Sequence, residues 1–365
     1  MIEIRQAIII EETFSRPGIK GFMAAVEGRE EPCIAYPDLV GEVKPGDRVL
    51  LNTTAQTLGL GTGGYHYVIA NLDGGNRELP AGGHIMKLRY TPLQIKVLSV
   101  EEDDSPYHEE MVKADSLQGI PVLVGTLHSM LAPLCIFLRD MGLKIAYVMT
   151  DGAALPIAFS QNVDWLKREG LLGTTITTGH AYGGDLEAVN IYSGLLAARQ
   201  VARADVIIVA MGPGIVGTGT RWGFSGVEQG EILNAVDTLG GQPIAVPRIS
   251  FADARARHRG ISHHSLTVLS RICRVNALLP LPQLEGEQMD LIFEQLIREK
   301  IFDRYQLCLE DGREDLAHLQ DCGLKITTMG RRVEQEKEYF LTLAAAARVA
   351  RKLVNGEELQ TIGLA

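Results

Sequence analysis

The sequence predicts an α/β protein: a small N-terminal β barrel or sandwich, then a doubly wound, mostly parallel α/β (Rossmann-like) domain. Three observations carry this expectation. Residues 1–100 alternate β-branched and aromatic runs with tight-turn chemistry. Residues 101–118 are rich in acidic side chains. From residue 119, short apolar runs without polar alternation are separated by helical periods, the pattern of a parallel sheet covered on both faces. A single core for 365 residues would be unusually large, so two domains are expected.

In the first region the expected strands are Ile4–Ile10, Phe22–Val26, Arg48–Asn52, Tyr65–Asn71 and Ile85–Val100. Turns at Arg16-Pro17-Gly18, Lys44-Pro45-Gly46-Asp47 and Asp73-Gly74-Gly75-Asn76 separate them. Pro45 before Gly46 suits a type II turn, because proline presets φ and glycine accepts a positive one. The glycine run from Gly59 to Gly64 reads as a wide loop or bulged strand, with lining of a ligand cleft as the alternative. The run Glu101–Pro106, with Glu109, Glu110 and Asp115, reads as a solvated acidic linker. Beyond it, strands are expected at 121–125, 144–150, 174–178, 205–211, 243–249, 275–279, 305–309 and 324–328. Helices are expected at 158–169, 185–202, 227–239, 287–300 and 333–354, with Asp185 as a helix cap.

Composition narrows the function. With 45 acidic against 35 basic side chains the net charge is −10, which argues against nucleic-acid binding. A hydrophobic content of 46% excludes wholesale disorder. Five scattered cysteines form no CxxC pair, so neither a zinc ribbon nor a disulfide framework is indicated. The first residues show no basic-then-apolar signal pattern. Ser116–Leu138 lacks charge over a length sufficient to cross a bilayer. Pro121, Gly125, His128 and Pro133 divide it into a strand, a turn and a helix. The expected protein is cytoplasmic and binds no membrane; homo-oligomerisation stays open.

Ligands of open parallel sheets bind outside the carboxyl ends of the strands, so the residues following each expected strand are the informative ones. They include His128; Asp151; His180 and Asp185; the run Gly212-Pro213-Gly214-Ile215-Val216-Gly217-Thr218-Gly219-Thr220; and the segment Arg248–His264. Gly212, Gly214 and Gly217 formally match GxGxxG. However, no helix opens immediately and the next strand ends in Arg248 rather than an acid, so a nicotinamide cofactor is disfavoured. The run reads either as a nest of backbone N–H groups for a phosphate, with Thr218, Gly219 and Thr220, or as a close crossover.

Arg248, Arg255, Arg257 and Arg259 stand against Asp253 in this acidic chain, and guanidinium groups grip carboxylates and phosphates. Ser262 is placed to cap a helix that opens with His263 and His264, favouring neutral imidazole there. His258, His263, His264, Asp253 and Asp151 are the candidate acid–base groups; His180 is a further ligand-binding candidate. The first three histidines with Asp253 form a candidate divalent-metal set. The alternative is that they hydrogen-bond loop carbonyls or a phosphate without metal.

The stretches Ala210–Thr220, Arg248–Asp253 and Arg257–His264, with Leu51–Ala55 and Leu60–Gly64, resemble an uncharacterised bacterial family, a domain of unknown function found mainly in Gram-positive lineages. The resemblance runs over nearly the whole chain and implies no catalytic roles. His258-Arg259-Gly260-Ile261-Ser262-His263 is also similar to a short stretch of some membrane-bound metal-dependent hydrolases, which would imply metal. The expected activity is hydrolysis or group transfer on a small anionic, phosphorylated or nucleotide-like substrate. The alternatives are a non-catalytic nucleotide or metabolite binder, then an NAD(P)-dependent oxidoreductase.

Overall fold

The computed structural model describes residues 1–61, 63–75, 77–320 and 322–362. Thr62 of the glycine run and Asn76 of the expected third turn lie outside them. The chain divides into two compact units, Met1–Val97 and Leu98–Ala365.

In the first unit, strands β1 (Ile4–Arg16), β2 (Ile19–Val26), β3 (Arg29–Ala35), β4 (Arg48–Asn52) and β5 (His66–Asn71) close a barrel in the order β1-β2-β3-β5-β4. Short helices α1 (Pro37–Val40) and α2 (Thr54–Thr57) lie between strands, and β6 (Ile85–Lys87) pairs separately with β7 (Ile95–Val97). Inward residues Ile9, Phe22, Ala24, Cys33, Val49, Leu51 and Val68 form the barrel core. The expected type II turn is present: Gly46 has φ +92° and Asp47 N–H donates to the Lys44 carbonyl at 3.1 Å. β3 escapes the sequence pattern because it opens with the polar run Arg29-Glu30-Glu31-Pro32. It is held instead by the two-residue Glu27-Gly28 turn, both at positive φ, and by pairing to β2.

The second unit is built on a nine-stranded sheet. Its strands are β8 (Pro121–Val124), β9 (Ile145–Thr150), β10 (Thr174–Thr177), β11 (Leu186–Glu187), β12 (Val206–Met211), β13 (Gln242–Ala245), β16 (Ala277–Pro282), β17 (Tyr305–Glu310) and β18 (Thr361–Ile362). Their order is β11-β10-β9-β12-β8-β13-β16-β17-β18, parallel except for β18. A two-stranded ribbon of β14 (Ile249–Ser250) and β15 (Gly260–Ile261) stands apart. Alternate residues of each central strand enter different cores, which explains their continuous apolarity. Ile145, Tyr147 and Met149 join one cluster, and Ala146 and Val148 the other.

The first cluster packs against helices α4 (Leu131–Phe137), α5 (Gln161–Arg168), α10 (Ala317–Gln320) and α11 (Lys337–Asn355). The second packs against α3 (His108–Lys113), α6 (Ile191–Gln200), α7 (Glu228–Thr238), α8 (His263–Thr267) and α9 (Glu287–Arg298). No helix among the described residues is long and apolar enough to cross a membrane.

Four expectations differ from the structure. Ile85–Val100 is not one strand: the chain turns back after Lys87, with Leu88 and Tyr90 at positive φ, so that β6 pairs antiparallel with β7. Residues 101–118 are packed rather than a solvated linker. Met111 and Leu117 are buried, Glu102 accepts from Ser99 N–H at 2.6 Å, and Glu101 accepts from Val189 N–H at 2.9 Å. Glu101 and Glu102 are thereby spent on backbone donors, while Asp103, Asp104, Glu109, Glu110 and Asp115 stay exposed. Asp185 does not cap a helix; it accepts from Thr175 N–H at 2.8 Å, and Asn190 caps α6. Leu324–Thr328 is no strand: only Thr328 bridges, to Arg331 across a two-residue turn.

Candidate functional site

The order β12-β8-β13 sets three loops side by side at the carboxyl edge: those after Met211, Val124 and Ala245. Between them opens a cleft of about 210 Å³. Gly217, Gly219, Arg248, Arg255, Arg257, His258 and His264 line it, together with Leu127, Ile215, Val216 and Met329.

The arginines are held by two buried carboxylates. Asp253 accepts from Arg255 Nε and Nη2 at 2.9 Å, and Arg248 Nη2 lies 3.5 Å from it. Glu336, fully buried, accepts from the Ser250 hydroxyl at 2.7 Å and from Arg331 Nε at 2.6 Å, with Arg248 Nη2 at 3.7 Å. The hydrogen bonds from Arg255 hold the Asp253 carboxyl well below the usual carboxylate range. Arg257 makes no ion pair among the described residues; its Nε reaches His258 Nε2 at 3.4 Å. Four guanidinium groups thus face two carboxylates, and the cleft stays cationic.

Ser262 caps α8 as expected, accepting from Ser265 N–H at 3.2 Å. The three histidines pack as a cluster. His263 and His264 ring centroids are 4.0 Å apart, His258 lies 4.8 and 5.5 Å from them, and His264 stacks on Phe224 at 4.0 Å. Burial, then the charges of Arg255 and Arg248, lowers His258 to about 4. Burial and the neighbouring histidines lower His264 to about 4, and burial with Arg257 and Arg255 lowers His263. All three are neutral at pH 7. The cause is burial among arginines rather than a helix dipole, since α8 has only five residues.

Two donors in this cleft lack acceptors among the described residues. Arg248 Nη1 and His258 Nδ1 are buried with no hydrogen-bond partner there. The bond from Arg257 occupies the His258 Nε2 lone pair, so the proton of the neutral ring sits on Nδ1. Nε2 of His264 is also buried and unpartnered.

The remaining candidates stand elsewhere. His263 is not among the lining residues and packs against the His258 and His264 rings, and Asp253 hydrogen-bonds Arg255 rather than a histidine. Among the described residues no group of His, Cys, Asp and Glu is placed to hold a metal ion. The arginines crowding His258 make a second cation there electrostatically costly. Gly212 is a close crossover: a Cβ would come within 2.4 Å of the Ala154 carbonyl oxygen. The run beyond it is a small hairpin rather than an open nest. Thr218 N–H donates to the Gly223 carbonyl, Ser225 N–H to the Val216 carbonyl, and Val216 N–H to the Ser225 hydroxyl. Gly214 (φ +104°) enters this hairpin, and the Thr218 and Thr220 hydroxyls tie its tip together at 2.9 Å. Arg259 leans over the Phe251 ring, outside the cleft.

Asp151 and His180 belong to a different cluster after β9 and β10, where Asp151 accepts from His180 N–H at 2.9 Å. Beside them Glu228 accepts from the Thr150 hydroxyl at 2.6 Å. Burial, with the charges of Asp151 and Glu231, raises its carboxyl to about 7. Sequence reasoning missed Glu228, Arg331 and Glu336. Gly330-Arg331-Arg332 offers a signal for one of them, a turn glycine followed by paired arginines. Nothing local marks the other two.

The family model described as protein of unknown function, DUF3866, matches residues 32–347. The chain belongs to the DUF3866 family. No curated protein matches it. The match begins within β3, leaving β1 and β2 of the barrel outside it, and takes in every residue that lines the cleft of this DUF3866 protein.

Proposed function

We propose that this cleft binds a small anion, with a phosphoryl group the best fit, and that the protein acts on it by hydrolysis or group transfer. We read the surrounding fold as doubly wound, which puts the cleft at a crevice between loops leaving toward opposite faces of the sheet. One observation carries the reading: Arg248 Nη1 and His258 Nδ1 are buried donors without acceptors on a cationic cleft. Buried donors are almost always satisfied, and an orphan costs about 1–3 kcal/mol. A phosphoryl oxygen supplies both missing acceptors. The unpaired Arg257 guanidinium adds charge neutralisation. Neutral His264, whose Nε2 is uncommitted, is the group suited to accept a proton from an attacking water or hydroxyl.

The lining favours a second reading as well. No Ser, Thr, Cys, Asp or Glu side chain is among the lining residues, as in a binding protein that leaves its ligand unchanged. Recovery of a bound phosphate ester intact after long incubation would decide for it.

Calorimetric titration with inorganic phosphate tests the site itself. Arg257→Ala is expected to weaken binding at least about tenfold, with stability changed by less than about 0.5 kcal/mol. Arg259→Ala, outside the cleft, is expected to leave binding unchanged. Equal effects of the two substitutions would remove the basis for the reading.

A further inference from the structure

Resting on that reading, we infer that the cleft takes an anion carrying an apolar body, an aryl or alkyl phosphate rather than a sugar or polyol phosphate. The lining is divided by polarity. Arg248, Arg255, Arg257 and His258 supply the cationic part, and Leu127, Ile215, Val216 and Met329 supply an apolar part of the same cleft. Two of these apolar side chains are largely uncovered: Val216 is 66% exposed and Met329 58%.

Scattered exposed apolar residues need no explanation, but Met329 sits where methionine is locally unsuited. Thr328 and Arg331 exchange both backbone hydrogen bonds at 2.9 Å across Met329-Gly330. Met329 has φ +49° and Gly330 φ +78°. A two-residue turn with both central φ positive prefers Asn, Asp or Gly at the first position. A side chain with a flexible apolar stem is kept in a left-handed conformation there, exposed, on the wall of a binding cleft. Strain of this kind points to a role for the side chain rather than for the turn. Val216 lines the same cleft, carried on the hairpin whose Gly217 neighbours the His264 ring. A substituent on an anion seated on the arginines shares the cleft with Val216 and Met329. An apolar substituent gains by covering them, whereas a hydroxylated one loses water contacts it cannot replace.

The test is calorimetric titration of the full chain with inorganic phosphate, phenyl phosphate and ribose 5-phosphate. Phenyl phosphate is expected to bind about tenfold more tightly than ribose 5-phosphate. Met329→Asn suits the turn better and should keep or raise the melting temperature. It should also reduce the preference for phenyl phosphate to about threefold or less while leaving the affinity for inorganic phosphate in place. Val216→Ser should act in the same direction. If inorganic phosphate binds but phenyl phosphate has no advantage over ribose 5-phosphate, the inference is overturned and the anion site stands. A preference that survives both substitutions also overturns it, since the apolar body would then lie elsewhere. If none of the three compounds binds, the anion reading itself falls, and this inference with it.

Discussion

Two polar clusters share the carboxyl edge of the sheet and differ in almost every physical respect. The cleft beside β8, β12 and β13 gathers arginines and neutral histidines, and it holds donors without an acceptor among the described residues. The cluster after β9 and β10 is acidic: Asp151 accepts from the His180 backbone and Glu228 from the Thr150 hydroxyl. The acidic groups close their hydrogen bonds on neighbouring loops, so they read as devices that hold the edge together. The comparison teaches where to look: polarity at a strand end is met by neighbouring loops in one cluster, whereas the other keeps unmet hydrogen bonds beside a cavity, and the proposed site rests on that difference.

The largest expected effect tests what keeps the cationic cluster folded. Glu336 is fully buried between Arg248 and Arg331. Glu336→Ala would leave Asp253, already bound by Arg255, as the one carboxylate among the described residues beside Arg248 and Arg331, and is expected to cost about 3–5 kcal/mol in urea denaturation. A loss below about 1 kcal/mol would mean that solvent or an unseen anion already compensates the arginines.

The next sets the two clusters against each other in pH. The Glu228 carboxyl is raised from its ordinary value to about 7 by burial. Its contribution to stability is therefore fully present below about pH 4.5 and is lost as pH rises through about 7. Glu228→Gln is expected to raise stability by about 1–2 kcal/mol at pH 8 and to change it little near pH 4. The imidazoles of His258 and His264 are lowered to about 4, so their contribution has the opposite sense. It is present above about pH 6.5 and is lost as pH falls toward 4. In His258→Asn, the decline between those pH values should become shallower. Chemical denaturation of the three proteins across pH 4–8 checks both signs, and parallel curves would remove the distinction.

The smallest effect concerns Asp151. Asp151→Ala loses the acceptor for His180 N–H and is expected to cost about 1 kcal/mol while leaving phosphate affinity unchanged. A drop in affinity would join the two clusters into one site.

Much of this was legible along the chain, because its causes are local. The type II turn at Pro45-Gly46, the Ser262 cap and the fully buried strands β9 and β12 follow from φ preferences, side-chain acceptors and two-faced burial. Arg248, Arg255, Arg257, His258 and His264 announce themselves as a basic, histidine-rich run in an acidic protein. The barrel strand β3 and the packed acidic segment did not, since their polar residues are satisfied by partners that no pattern names.

By itself, then, the sequence determined the elements, their alternation and the edge on which polar residues collect, since period and turn chemistry act within a few residues. Only the tertiary structure decided which loops meet. Placing β12 between β9 and β8 carries the 212–223 hairpin toward Arg248 and leaves Asp151 and His180 on the far side of it. Strand order is set by long-range packing, and the same packing brings Glu336 to Arg248 and Arg331 to Asp253 from about eighty residues away. Which donors then remain without acceptors depends on every loop at once.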